Sequence, residues 1–539
     1  MSDVRAAPAA RGRRRALITV CAVLFLTFLD TTIVSVALAD VQATLHAGVQ
    51  SLQWVVNGYA LVFASLMLAM GTVGDRLGRK RVMLTGVTIF TLGSVLGALA
   101  PNVQVLIAAR ALMGVGAAAS EPGTLSVIRH LYPDFGPRAR ALGIWAAISG
   151  LALALGPVIG GVLVGIGGWR DVFWFNVAAG GLVLLIAAAT VPESADPQRA
   201  RFDVAGFLLG PLALAAVIFA IIFGETAGYA SPGIVALFVV SVVALALFIV
   251  AERRSAAPML DVKYFRRPGF SGAMAVAFAA YFGIFSIFFF TALYLQVVVG
   301  YSGYRVAEVF VPMALAMIFS SAIAGGWVAR TGPRLPMTIG CLAAGTGILL
   351  TEVVLGGQPD FTTLAFALTI AGFGFGVAVV PVTSVALTVV PGEHSGMAAS
   401  ATSTSRELGS VVGVAVLGAI VNGHLAGDLA HRLSALGVPP TFQKIVITAV
   451  ETGQVPSSAS GGAAKAQQAY GPIVAKVIDA AYGAFHTGLN VSLSISGITI
   501  LAAGLVAWLA VGRCTRRGAA PEAGDSSADA GDRPETARA

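Results

Sequence analysis

The sequence predicts an all-α polytopic membrane protein: two six-helix halves with two helices inserted between them, fourteen transmembrane helices in all, and both termini in the cytoplasm. Three observations predict it. Of 539 residues, 57% are hydrophobic and only 11% charged, whereas soluble domains carry about 45–50% and about 25%. Apolar runs long enough to cross a bilayer, which takes about 20 residues, recur along the chain. A short loop sequence near the start also returns at constant spacing in the second half.

The runs, bounded by charge or by Gly and Pro, lie near 16–38, 51–73, 82–101, 104–128, 140–165, 171–191, 203–223, 232–251, 271–296, 304–328, 335–356, 362–386, 404–423 and 486–512. The first follows a basic stretch and ends at Ala37-Leu38-Ala39, which imitates a cleavable signal peptide. Its length, and Asp30 within it, mark it as a retained span. The even number of spans puts both termini on one side. The side follows from Lys and Arg: of 34 such residues, Arg110 lies in a span and Arg170, Arg305, Arg432, Lys444, Lys465 and Lys476 lie outside, the other 27, Arg406 among them, falling on inner segments. The positive-inside rule therefore predicts N-in, C-in.

This gives a cytoplasmic basic N-terminus (1–15), an N-terminal six-helix half (16–191), two linker helices (192–251), a cytoplasmic loop (252–270) and a C-terminal six-helix half (271–512). The last contains a Gly/Ala/Ser-rich extracytoplasmic loop, 424–485, with short surface helices. A polar, disordered tail, 513–539, follows.

The repeat joins the loop after the second span to the loop after the tenth. Gly71, Arg76, Gly78 and Lys80 recur as Gly325, Arg330, Gly332 and Arg334, an offset of 254. In two six-helix halves the copy would follow the eighth helix, so two helices are inserted between halves. Parallel halves around a midplane site mark secondary transporters.

An ionised group within a bilayer is costly, so each one is a functional candidate. Asp30 in the first span is flanked by Thr31 and Thr32, hydroxyls able to share its proton. Arg110 and Glu121 share one face of the fourth span but stand about 16 Å apart along it, too far for a direct ion pair. Arg110 keeps its charge and serves to hold a neighbouring carboxylate ionised, while Glu121 is a candidate to titrate. Asp30 and Glu121 are the only intramembrane acids that this reading identifies. In the loop Gly71-x-x-x-Asp75-Arg76-x-Gly78-Arg79-Lys80, glycine permits a tight turn, and Asp75 suits a helix N-terminus or an opposite charge on a neighbouring helix; the loop reads as a gating latch. Gly150, Gly156, Pro157, Gly160 and Gly161 in the fifth span allow kinking and close helix approach.

Other classes are disfavoured. GxxxxGK[ST], HExxH and GxSxG are absent, the six histidines are dispersed, and Cys21, Cys341 and Cys514 form neither a disulfide framework nor a metal site. No catalytic residue, metal or cofactor is expected, and transport falls to an ion gradient or an associated ATPase. The net charge of +8 lies in short loops against the lipid surface, so no nucleic-acid partner is expected.

At these residues the chain resembles the major facilitator superfamily, and within it the fourteen-helix drug/proton antiporters. The loop motif is met by Gly71, Asp75, Arg76, Gly78, Arg79 and Lys80; the first-helix signature by Leu29, Asp30, Thr32, Ile33, Val34, Val36 and Ala37; the fourth-helix motif by Arg110 and Gly114, with Met113 in place of the usual Gln; and the antiporter motif by Gly156, Pro157, Gly160 and Gly161, with Ala152 where a glycine is usual. The run Trp169-Arg170-Asp171-Val172-Phe173-Trp174-Phe175-Asn176 is similar to one that follows in the family. The resemblance implies the major facilitator fold and alternating access, with Asp75 latching the inner gate, Arg110 serving proton transfer and the fifth helix favouring export. It also implies an amphipathic small molecule and protons as partners, in a bacterial cytoplasmic membrane. The rivals are proton-driven transport of a dedicated metabolite, peptide or lipid, and a transport-dead sensor using the 424–485 loop.

Overall fold

The computed structural model describes residues 10–45, 47, 49–194, 203–255, 258, 260–299, 301, 303–355, 359–391, 394–436, 438, 443 and 472–511, and among them there is no strand. The helices are α1 (Ala10–Leu45), α2 (Val49–Leu77), α3 (Arg79–Ala98), α4 (Val103–Leu131), α5 (Phe135–Gly167), α6 (Arg170–Thr190), α7 (Val204–Ala227), α8 (Pro232–Arg254), α9 (Pro268–Val297), α10 (Gly303–Thr331), α11 (Arg334–Val354), α12 (Phe361–Val389), α13 (Ser395–Ala435) and α14 (Pro472–Val511), with a 3-10 turn at Val262–Arg266. Twelve described helices are long and apolar enough to cross a membrane, thirteen when the two arms of α5, bent by 41°, count as one span.

Helix ends follow local chemistry. The Asn102 side chain accepts from Val105 N at 3.0 Å and caps α4, Asp203 caps α7 through Gly206 N at 2.8 Å, and Asp360 accepts from both Thr363 N and Thr363 Oγ1 to start α12. Proline opens α8 and α9, where a missing N–H costs nothing. The turns after α2 and α10 pass through Gly78 (φ 106°) and Gly332 (φ 79°), a left-handed conformation that a Cβ would strain. These are equivalent positions of the 254-residue repeat.

The repeat is carried by packing as well as sequence. α1 lies on α5 and α6 as α9 lies on α13 and α14; α2 lies on α4 as α10 lies on α12; α3 meets α4 and α6 as α11 meets α12 and α14. A Cβ on Gly86 would stand 2.6 Å from Gly116 O and 2.7 Å from Ser120 N, and one on Gly340 would stand 2.8 Å from Gly374 O and 2.6 Å from Ala378 N. So α3/α4 and α11/α12 touch backbone to backbone at matching places, the approach that small residues permit in lipid. The halves meet through α2 with α13 and α5 with α10, one contact made twice by the pseudo-symmetry. The pair α7–α8 has no counterpart. Helix α7 rests on both α2 and α13, with Trp54 against Phe219 and Phe223 at 5.2 and 5.5 Å and Ile218 packed with Ala64 and Val411.

One expected loop begins and ends as helix. The segment 424–485 reads from its small-residue composition as an exposed loop, yet α13 continues to Ala435 and α14 starts at Pro472. With 41 and 40 residues, both helices are about 60 Å long, well beyond a hydrocarbon core of about 30 Å. Their extensions bury Leu429, Leu433, Ala480, Ala481 and Ala484 against each other, and Asp428 accepts from Arg432 Nε at 2.9 Å. Most of 437–471, and the tail from 512, lie outside the described residues.

Candidate functional site

Asp30 is fully buried where α1, α2, α4 and α6 converge. Its Oδ2 pairs with Arg110 Nη1 and its Oδ1 accepts from Asn176 Nδ2 at 2.7 Å. Arg110 also donates through Nε to Val55 O at 2.9 Å, and its guanidinium lies 4.4 Å from the ring centre of Tyr59. The Tyr59 hydroxyl in turn donates to Thr27 O at 3.1 Å. Opposite charges thus cancel in a dry place, and each is held by a second partner, the condition for a buried pair to be tolerated. The flanking hydroxyls, expected to share the Asp30 proton, make other bonds. Thr31 donates to Thr27 O at 3.2 Å and Thr32 to Leu153 O at 3.1 Å, the latter tying α1 to α5.

Glu121 has a different partner. Its Oε1 accepts from Ser403 Oγ at 3.1 Å and stands 3.6 Å from Arg406 Nη2, both on α13. The sequence reading identifies Asp30 and Glu121 as intramembrane acids and sets Arg406 on an inner segment; the structure adds a further buried carboxylate, Glu407, beside Arg406. Helix α13 starts at Ser395, so Arg406 and Glu407 lie eleven and twelve residues along it, about 16–18 Å from its start; they are 2% and 7% exposed. A run of serines and threonines ahead of them depresses the local hydropathy and conceals the start of the helix. The usable signal is the glycine pair further on, because Gly409 and Gly413 lie one helical turn apart and a Cβ on Gly413 would stand 2.7 Å from Phe282 O of α9.

The α2–α3 loop forms a contact between halves. Asp75 Oδ1 accepts from Arg79 Nε at 2.9 Å, and Asp75 Oδ2 accepts from Met397 N, in the first turn of α13, at 3.2 Å. The carboxylate therefore serves a helix N-terminus and a cation at once. Near it, Arg138 Nη2 of α5 donates to Thr388 Oγ1 of α12 at 3.2 Å. Lys80 Nζ donates to Ala188 O at 2.7 Å, and its backbone N–H to Glu193 Oε1 at 3.2 Å. Gly71 is buried in α2 and Arg76 half-buried.

Along α5, Gly150 faces Met317 of α10, where a Cβ would stand 3.1 Å from the sulfur. A Cβ at Gly156 would collide with Thr32 Oγ1, and one at Gly160 would stand 2.8 Å from Ile33 O, so both hold α1 close. Gly161 has nothing within 4 Å of its Cβ position. The Pro157 side chain lies outside the described residues. The structure therefore unites Asp30 with Arg110, sets Glu121 in a second cluster, and gathers the loop motif at the α2–α13 junction.

The family described as Major Facilitator Superfamily matches residues 20–414. The chain belongs to it. Among its relatives is the Multidrug resistance protein Stp of Mycobacterium tuberculosis, 35% identical over 427 residues that cover 79% of each chain. Another is the Multidrug efflux pump LfrA of Mycolicibacterium smegmatis, 32% identical over 489 residues, 90% of this chain and 94% of that one. In fold it is similar to the human organic anion transporter MFSD10 (TM-score 0.62, 14% identity, 92% of this chain and 99% of that one). Its multi-pass helices and bacterial relatives make it a protein of the bacterial cytoplasmic membrane.

Proposed function

We propose that this chain exports drugs, antibiotics or similar amphipathic small molecules across the cytoplasmic membrane in exchange for protons. The observation that carries the reading is the buried Asp30–Arg110 pair with Asn176 on the carboxylate, a protonatable group at membrane depth in a fold whose relatives are efflux proteins. Fourteen spans, α13 included, with both termini inside, fit the Lys/Arg distribution, and the domain limits follow from that arrangement. The contacts Asp75–Met397 and Arg138–Thr388 then lie at the cytoplasmic mouth, and the structure corresponds to a state closed to the cytoplasm.

Each residue has a physical task in this reading. A proton arriving from outside neutralises Asp30 and releases Arg110 to its backbone and Tyr59 contacts. The cost of holding an uncompensated cation then favours a rearrangement of α1 and α4. The change reaches the gate through α2, which carries Val55 and Tyr59 at one end and Asp75 at the other. Cargo binding in the inward-facing state restores the ionised Asp30 and expels the proton. Gly150, Gly156, Pro157, Gly160 and Gly161 let α5 move between α1 and α10, and Glu121 contributes a second exchangeable charge.

The test is an imposed pH gradient across proteoliposomes, with a panel of cationic and neutral antibiotics. Compound-dependent proton flux, lost in Asp30→Asn and Arg110→Ala, is expected. Flux with unchanged amplitude in folded Asp30→Asn would remove Asp30 from the mechanism.

A further inference from the structure

The chain leaves the membrane at the end of α8 and returns at the start of α9, and the stretch between is strongly basic. Arg253 and Arg254 close α8, Lys263 and Arg266 lie on the 3-10 turn Val262–Arg266, and Arg267 precedes Pro268 at the head of α9. All five are exposed, and among the described residues none of them makes an ion pair.

The two acids of the same stretch are turned elsewhere. Glu252 is 3% exposed, and its Oε1 would stand 2.6 Å from a Cβ on Gly206, so it faces the first turn of α7. Asp261 caps the 3-10 turn by accepting from Lys263 N at 3.0 Å. The exposed charge of the segment is therefore all positive, and like charges gathered on one short segment favour an anionic partner. Phe265 stands in their midst. It is 41% exposed although its ring meets Phe270 edge-on at 5.2 Å, and the neighbouring Tyr264 ring centre lies 5.3 Å from the Arg267 guanidinium. An aromatic ring among cations at the end of a membrane span is the composition that seats a segment at headgroup depth.

We infer that this segment binds anionic phospholipid headgroups of the inner leaflet. Arg253, Arg254, Lys263 and Arg266 take the phosphates, and the Phe265 ring enters beside the upper acyl carbons. A lipid fits better than a protein because membrane spans, Pro232–Arg254 and Pro268–Ala292, tether the segment at both ends and keep its cations at phosphate depth. The segment also reaches the contact between halves. Asp261 N donates to Met397 Sδ at 3.3 Å, and Met397 N is itself the donor to Asp75; Arg267 Nη1 donates to Val389 O at 3.0 Å, next to Thr388. Headgroup binding thereby steadies the end of α12 and the start of α13, the C-terminal side of the gate. The inner-leaflet placement rests on the topology of the transport reading, but lipid selection can be measured without transport.

The experiment is titration of the purified full chain in detergent with dioleoyl phosphatidylglycerol or dioleoyl phosphatidylcholine, bound lipid being counted by native mass spectrometry. At low ionic strength the wild type is expected to bind phosphatidylglycerol about tenfold or more tightly than phosphatidylcholine, a preference that narrows as salt is added. Lys263→Gln/Arg266→Gln is expected to weaken phosphatidylglycerol by about thirtyfold and phosphatidylcholine little. Phe265→Ser leaves every charge in place and is expected to weaken both lipids a few-fold. Arg14→Gln/Arg15→Gln removes two exposed cations from the start of α1 and is expected to leave the tightest phosphatidylglycerol step unchanged. Equal affinity of the wild type for the two lipids, or equal losses in the two double variants, overturns the assignment. Proton exchange in liposomes by a protein that shows no lipid selection removes the site and leaves the transport reading. Phosphatidylglycerol selection that depends on Lys263 and Arg266, without any proton exchange, does the reverse.

Discussion

Removing both partners of the Asp30–Arg110 pair should cost less than the two single losses added together. Asp30 is 0% and Arg110 1% exposed, so Asp30→Ala leaves a guanidinium with Val55 O and the Tyr59 face and no counter-charge. Breaking a buried pair in this way costs about 3–5 kcal/mol. Arg110→Ala should cost less, because Asp30 keeps the Asn176 bond and can take up a proton, a relief that Arg110 lacks. The double variant Asp30→Ala/Arg110→Ala removes both charges, and its cost should fall below the sum of the singles by about 0.5–3 kcal/mol, the usual coupling between contacting groups. Reversible unfolding in mixed detergent micelles titrated with sodium dodecyl sulfate, on all four proteins, measures this. Additivity within about 0.5 kcal/mol would mean that the two side chains do not interact energetically, and the reasoning about this pair would fail.

Other consequences are independent of that cycle. Gly86→Ala and Gly340→Ala each drive a Cβ into backbone atoms of the facing helix and should cost about 1–3 kcal/mol apiece in the same assay; Gly181→Ala, with nothing within 4 Å, should be near neutral, and a reversed order would refute the repeat-packing account. Asn176→Leu removes the second donor to Asp30 and should lower proton-coupled transport in folded protein; unchanged coupling would make Asn176 structural only. Asp75→Asn weakens the bond to Met397 N and the pairing with Arg79, and should raise labelling of a cysteine placed at Thr388 by a reagent applied from the cytoplasmic side. Equal labelling would argue against a latch there.

Much of the fold and part of the site were legible in the sequence, for definite reasons. Lipid forces backbone bonds inside each segment, so apolar run length reveals helices, and a turn that needs positive φ twice at the same register reveals the repeat through Gly78 and Gly332. Asp30 and Arg110 stand out because any charge in an apolar run does. Their pairing is hidden, since it joins residues 80 positions apart on α1 and α4 and depends on Asn176 from α6. Arg110 and Glu121 share a face, yet that face passes from the interior of one half to the boundary with the other, which no helical wheel shows. Arg406 and Glu407 escaped because the Ser/Thr run before them looks like a loop end when judged by hydropathy, and only tertiary packing against α4, α5 and α9 turns it into buried helix. The extensions of α13 and α14 escaped for a related reason: their small residues suit either a loop or a tight helical pair, and the pairing decides.

The central claim is that Asp30 exchanges its proton against cargo, and proton release from purified protein on cargo binding tests it most directly. In weakly buffered detergent solution containing a pH indicator, addition of a transported compound should acidify the medium in the wild type and do so clearly less in folded Asp30→Asn, although the compound still binds. Equal acidification by Asp30→Asn and wild type would contradict the claim and assign the exchanged proton to another carboxylate.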